Sequence, residues 1–202
     1  MSEEVLTKET VKKLMATKAE TRGVNLTNAA VFVAKKKGKE GVRKIEEALE
    51  EFGFPLEFGR VKTMDFYPAG YLPVIFLLMK QLFNWGDEDL RELCGFAVTS
   101  SLVVRVYMKF FHSAPQMAQK APEIWREYFN VGELEVVDYD LEKKYAIFEI
   151  RNFDLHKTFC TCVEGYLKNI MKLLLNPRKI FSQEVKCTFK GQSSHRFRVT
   201  WK

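Results

Sequence analysis

The chain predicts an α+β fold in which a helical first two-thirds packs on a four-stranded antiparallel sheet made of hairpin, helix and hairpin. Three observations carry this. Apolar residues recur every three or four positions up to about residue 129, they alternate between Gly132 and Arg151, and after one further helical stretch they alternate again around Gly191. A period near 3.6 marks a helix with one buried stripe, and a period of two marks a strand with one buried face.

The elements follow in order. Val5, Leu14 and Met15 among Lys and Glu suggest a loosely packed leading helix over residues 1–22, closed by Gly23. Thr27-Asn28 offers an N-cap for a short helix to Val33, the run Lys35-Lys36-Lys37-Gly38-Lys39 reads as a solvated loop, and Val42, Ile45, Leu49 and Phe52 stripe a helix over residues 41–52. Residues 71–83 are apolar almost all round and predict a buried core helix. Asp87 can cap a helix to Val98, and Leu102, Val103, Val106 and Phe110 stripe another over residues 100–111. Pro122 suits the first turn of a short helix over residues 123–129.

Then the period changes. Leu134 and Val136 face Ala146, Phe148 and Ile150 across a polar loop, residues 138–144, as a β-hairpin. Val163, Leu167, Ile170 and Leu174 stripe the helix of residues 154–175, which Asn176-Pro177 stops. In the last hairpin Phe181, Val185, Cys187 and Phe189 on one arm and Phe197, Val199 and Trp201 on the other all hold odd positions, which predicts one buried face.

Composition bounds the function. With 202 residues, 47% of them hydrophobic, the chain reads as a single domain over residues 1–202 and excludes a disordered or collagen-like protein. The +6 charge is spread among interleaved acids and bases, so nucleic acid is not an expected partner, even at the three consecutive lysines. Met1-Ser2-Glu3-Glu4 lacks the character of a secretory signal, and no apolar run reaches the ~20 residues of a membrane span. Four cysteines are too sparse for a disulfide scaffold, which points to a reducing cytoplasm.

Two groups of residues bear chemistry. If the last hairpin turns symmetrically about Gly191, Cys187 faces His195 and Val185 faces Phe197; Cys160 or Cys162 at the start of the preceding helix would add soft ligands to a zinc- or iron-type site. The alternative is a set of half-buried thiols beside a polar hairpin histidine. An enzyme would need a nucleophile with its base, paired carboxylates or a phosphate cradle, and none has a recognisable context here. Phe76, Met79, Phe83, Phe110, Phe148 and Phe197 are the expected walls of an apolar cavity, or else simply its filling.

The segment from Cys187 through Gly191 to His195-Arg196-Phe197 resembles the closing hairpin of vinyl-reductase-like small-molecule-binding domains, Cys-x-x-x-Gly-x-x-x-Cys-x-Phe, with His195 in place of the last cysteine. Cys160-Thr161-Cys162-Val163-Glu164-Gly165 is similar to the helix start that precedes it. Tyr67-Pro68 and the run from Pro122 to Leu134 resemble an uncharacterised bacterial family of this length. These families are related in fold to TRAPP trafficking subunits and, more distantly, to haem nitric-oxide-binding domains. The resemblance implies a non-catalytic sensory module that encloses a hydrophobic small molecule and acts as a homodimer or through a signalling partner, or a TRAPP-like scaffold whose cavity is incidental. In the haem-binding relatives the proximal histidine would fall near His112, which otherwise reads as a helix-end histidine favoured by the dipole. Their Tyr-x-Ser-x-Arg clamp would fall on Ile147-Phe148-Glu149-Ile150-Arg151, which keeps only the arginine and adds a carboxylate, so haem is disfavoured.

Overall fold

The computed structural model describes residues 6–100 and 114–202. The leading helix is shorter than its pattern predicts: α1 spans Lys8–Met15, its first turn capped by the Thr7 hydroxyl, which accepts from the Thr10 amide. It is also packed, since Val11 is fully buried and α1 lies on the core helix described below. Strand β1 (Glu20–Arg22) then pairs antiparallel with β2 (Phe66–Pro68).

Between them runs α2 (Gly23–Glu51), broken only at Gly38. The solvated loop expected around the lysines is thus a bend of one residue. Gly38 supplies φ +70°, which only glycine adopts freely. The lysines stay helical because each ammonium finds an aromatic face: Lys35 lies over Phe96, Lys36 over Phe32 and Lys37 over Phe83, at 5.4–5.8 Å.

Helix α3 (Tyr71–Phe83) is the core helix, buried from Leu72 to Met79. Helix α4 (Asp87–Ser100) follows, with three acids in its first turn complementing the helix dipole. Residues 101–113, and with them the candidates Phe110 and His112, lie outside the described residues. Helix α5 (Ala114–Tyr128) carries Pro122 in its interior, not at its first turn, so the short helix expected after Pro122 is the second half of a longer one.

The four-stranded antiparallel sheet is as the sequence predicts, in the order β3-β4-β6-β5: β3 (Glu133–Asp140), β4 (Tyr145–Arg151), β5 (Ile180–Lys186) and β6 (His195–Trp201). Helix α6 (Thr158–Leu175) joins the two hairpins, lies on β5 and β6, and packs along α4. That last contact is close. A Cβ at Gly165 would sit 2.2 Å from the Arg91 carbonyl oxygen, so only glycine lets the two backbones meet.

The last hairpin departs from symmetry. Lys186 pairs with Arg196, but Glu184 pairs with Phe197, so Val185 is an extra residue in a β-bulge. One inserted residue exchanges the faces of everything beyond it. On β6 the odd positions His195, Phe197, Val199 and Trp201 are buried as expected, but on β5 Phe181 and Val185 point outward, 61% and 48% exposed, and Phe189 beyond the strand is 44% exposed. Ile180, Ser182 and Glu184 turn inward in their stead.

Candidate ligand cavity and cysteine-histidine cluster

The bulge builds the cluster. It leaves Cys187 buried while bringing Glu184, opposite the inward-facing Phe197, to the same side of the hairpin. The first turn of α6 presents Cys160 to them: its Sγ lies 3.7 Å from Cys187 Sγ and 3.6 Å from His195 Nδ1. One turn on, Glu164 fixes the arrangement by accepting from the Glu184 amide at 2.8 Å and from Arg91 Nε at 2.9 Å. Ligand atoms of Cys160, Glu184, Cys187 and His195 all lie within 4.8 Å of one another.

The imidazole is oriented. Its Nε2 lies 3.1 Å from the Phe153 carbonyl, which can only accept, so Nε2 carries the proton and shares it with Thr188 Oγ1 at 2.8 Å. Nδ1 then turns its lone pair to the cluster, as a metal-binding histidine does when its other nitrogen is held by a carbonyl. It also faces Glu184 Oε1 at 3.0 Å. Two acceptors at that distance need a second ring proton or a cation between them. Tetrahedral zinc with Zn–S near 2.3 Å gives ligand-to-ligand edges of about 3.8 Å, close to the sulfur separations here.

Protonation in the ion-free cluster follows from burial and charge. Burial, reinforced by hydrogen bonding to Glu184 and repulsion by its charge, raises the Cys160 thiol far above its ordinary value. Cys187 is raised by burial and by Glu184. Burial opposes the Glu184 charge, but hydrogen bonds from His195, Cys160 and Cys187 outweigh it and hold the carboxyl below the usual range.

Of the four expected ligands, Cys160, Cys187 and His195 meet and Cys162 does not. Two positions along a helix turn a side chain by about 200°, so Cys162 faces away from the hairpin. There it forms a disulfide with Cys94 of α4. Cysteine usage therefore ceases to argue for a reducing compartment. Glu184 takes the fourth place; the helical turn alone separates Cys160 from Cys162, but no residue signals the bulge that brings Glu184 in.

On the other side of α6 lies a cavity of about 100 Å³. Its walls come from Ala29 on α2, Leu72 and Phe76 on α3, Leu93 and Ala97 on α4, Ile124 and Tyr128 on α5, Leu134 and Ile150 on the sheet, and Phe159, Cys162, Val163, Tyr166 and Leu167 on α6. The α6 positions recur at one helical face, next to the face that carries Cys160 and Glu164. Trp125, Phe129, Phe153 and Phe159 close one end as a cluster with ring centroids 4.9–6.0 Å apart.

Of the expected wall residues only Phe76 lines this cavity among those described. Met79 is fully buried within the core, Phe83 packs against Trp85 at 5.3 Å, and Phe148 and Phe197 pair across β4 and β6 farther along the sheet. They fill the interior because each sits a turn or a strand step away from the gap.

No family model matches this chain, and no curated protein matches it significantly. Solved structures do. An H-NOX protein from S. oneidensis in the Fe(II)NO ligation state superposes with a TM-score of 0.67 at 12% identity, covering 90% of this chain and 99% of that one. An oxygen-binding H-NOX domain related to soluble guanylate cyclases gives 0.63 at 13% identity, covering 90% and 95%. The Fe(II) unliganded H-NOX protein from K. algicida also gives 0.63 at 13%, covering 90% and 96%. The chain thus has the fold of the H-NOX, or haem nitric-oxide-binding, domains. Nothing in these likenesses supports the vinyl-reductase-like or TRAPP part of the resemblance.

That fold implies haem, and the described residues do not fit it. A macrocycle belongs with ligands whose pockets run to about 300–1,000 Å³, well beyond the cavity here. Glu149 and Arg151 alternate with the wall residue Ile150 and so leave on the opposite face of β4. Arg151 Nε bonds Glu149 Oε1 at 2.7 Å, and Arg196 Nε bonds Oε2 at 2.7 Å. The one arginine kept from the propionate clamp is therefore committed to a carboxylate away from the cavity.

Proposed function

We propose that this chain is a non-catalytic sensory domain that encloses a small apolar molecule, without haem, between α2, α3, α4, α5, α6 and strands β3 and β4. The cavity is the observation that supports it: about 100 Å³, with no charged side chain on its wall among the described residues. An apolar cavity of about 150 Å³ stays dry and takes up benzene, so this one suits a single ring or something smaller. Helix α6 makes such binding communicable. A guest pressing on Phe159, Cys162 and Tyr166 displaces the same turns that hold Cys160 and Glu164 against the closing hairpin, and the response passes on to a second copy or a protein partner.

Thermal melts with benzene test this. The wild type is expected to melt higher with benzene than without, and Ala97→Phe, which fills the cavity from α4, is expected to lose that response. An unchanged melting temperature for the wild type in saturated benzene overturns the proposal.

A second reading has its own support in the cluster of Cys160, Glu184, Cys187 and His195. These residues suit a zinc-type ion, with two thiolates, one oriented imidazole and one carboxylate closing a tetrahedral site. Such an ion would pin α6 to the closing hairpin and set the stiffness of the cavity wall. Elemental analysis of the purified protein tests it, with about one zinc or iron per chain expected and a metal-free protein counting against it.

A further inference from the structure

We infer that the groove between α4, the last turns of α6 and the start of β5 binds a nucleoside polyphosphate, with its phosphates on Lys168, Lys172, Arg178 and Lys179 and its base against Phe181. The groove is distinct from the cavity and from the cysteine-histidine cluster, and the inference stands independently of both.

The groove holds about 400 Å³, within the range of small-molecule sites. Gly165, Lys168, Asn169 and Lys172 form one side of it, at the three- and four-residue spacing that sets side chains one above another on a helix. Asn176 ends α6 in the left-handed conformation, and the chain then brings Arg178 and Lys179 to the same groove just ahead of Ile180 and Phe181. Five cations therefore line it against two acids. Both acids are engaged: Glu88 accepts from Arg91 at 3.2 Å and Glu92 from Lys36 at 2.8 Å. Arg91 is held from its other side by Glu164 at 2.9 Å. Among the described residues the side chains of Lys168, Lys172, Arg178 and Lys179 make no hydrogen bond or ion pair, and Lys168 is half-buried.

The chemistry of the ligand follows. Like charges four residues apart on a helix repel, and the helix dipole offsets this only in the last turn, which contains Lys172 but not Lys168. Arg178 and Lys179 lie beyond the helix altogether. A multiply charged anion relieves the repulsion among all four, and the planar fork of Arg178 suits phosphate oxygens. Phe181 supplies the second half of the recognition. Its ring lines the groove while 61% exposed, and an aromatic side chain beside a phosphate-binding cluster is a stacking platform for a base. A bare phosphate chain would leave that ring unused, and a neutral aromatic molecule would leave the cations unused. The cations converge on one groove, which favours a single nucleotide over a nucleic-acid strand or a membrane surface.

Calorimetric titration of the full chain with ATP and with inorganic triphosphate tests this, in magnesium-free buffer at about 0.15 M salt, where exposed charges farther apart than about 8 Å are screened. ATP is expected to bind at one site per chain. A Lys168→Gln, Lys172→Gln double variant is expected to lose at least about tenfold in affinity for both probes, the scale of one charge-assisted hydrogen bond, while melting no lower than the wild type because a repulsion is removed. Phe181→Ser is expected to lose about fivefold or more for ATP, the scale of one stacked base, and less than about twofold for triphosphate. Lys12→Gln, Lys13→Gln on the exposed side of α1 is expected to change neither. No binding of ATP, an equal loss in the α1 variant, or an equal effect of Phe181→Ser on the two probes overturns the inference. So does binding of phosphatidylserine vesicles or of a single-stranded oligonucleotide through Lys168 and Lys172 where ATP does not bind.

Discussion

Cys160 Sγ lies 3.6 Å from His195 Nδ1, although the two residues are 35 positions apart and belong to different layers of the fold. The contact joins the first turn of α6 to the closing hairpin through groups that bind soft metals. Cys160→Ala, Cys187→Ala and His195→Ala are each expected to abolish zinc retention through gel filtration. Glu184→Gln is expected to weaken it by about tenfold or more, as changes around metal sites do. Cys162→Ser, with its side chain on the far face of the helix, is expected to keep full metal content. Elemental analysis and chelator competition check the series, and a Cys162→Ser protein as metal-poor as Cys160→Ala would argue against the cluster.

The same groups set opposite pH dependences with and without an ion. In the metal-free protein the folded thiols of Cys160 and Cys187 titrate above their unfolded value. Their contribution to stability is complete below about pH 8.5 and is lost as pH rises past it toward the folded values. Glu184 and Glu149 titrate below theirs; for Glu149, burial opposes the shift but Arg196 and Arg151 outweigh it. Their contribution is present above about pH 4.3 and is lost as pH falls through the lower folded values. A bound ion needs the thiolates and releases their protons, so its affinity rises with pH. The gap in melting temperature between zinc-loaded and chelator-treated protein is therefore expected to widen from neutral pH upward. A gap that stays constant would remove the thiols from the ligand set.

The disulfide should be separable from the cluster. Cys94 and Cys162 close a loop of 68 positions, and cross-linking a loop of that length stabilises by about 4 kcal/mol in the chain-entropy picture. A Cys94→Ser, Cys162→Ser double variant is expected to unfold at lower denaturant than the wild type while retaining its metal. In denaturant without reductant and after metal removal, the wild type is expected to yield two titratable thiols, those of Cys160 and Cys187. Four would mean that the bond does not form.

Most of the architecture was legible because apolar spacing is a direct record of burial. The stripe Val163, Leu167, Ile170 marks α6, and the alternation of His195, Phe197, Val199 and Trp201 marks β6. What stayed hidden depends on a single residue or on distant partners. A bulge at Val185 has no compositional signature, so parity placed Glu184 outside and Val185 inside. The lysines of α2 look solvated until Phe83 of α3 and Phe96 of α4 arrive to receive Lys37 and Lys35, while Lys36 lies over Phe32 of its own helix. Cys94 finds Cys162 only because Gly165 lets α4 and α6 touch, and a cavity is the one feature that no list of apolar residues can distinguish from a filled core.

The bulge itself is open to a stability test. A hairpin symmetric about Gly191 would bury Val185 against Phe197, and placing a charge there would cost several kcal/mol through an unpaired buried group. In the bulged register Val185 and Phe181 are 48% and 61% exposed, and their replacement reaches only solvent. Val185→Lys and Phe181→Lys are thus expected to change unfolding free energy by no more than about 0.5 kcal/mol, the usual range for surface substitutions. Phe197→Ala, at a fully enclosed position of β6, is expected to cost about 3–5 kcal/mol. Urea titration of the three variants decides the register: if Val185→Lys unfolds as readily as Phe197→Ala, the bulge is absent, Glu184 points to solvent, and the fourth ligand of the cluster is lost with it.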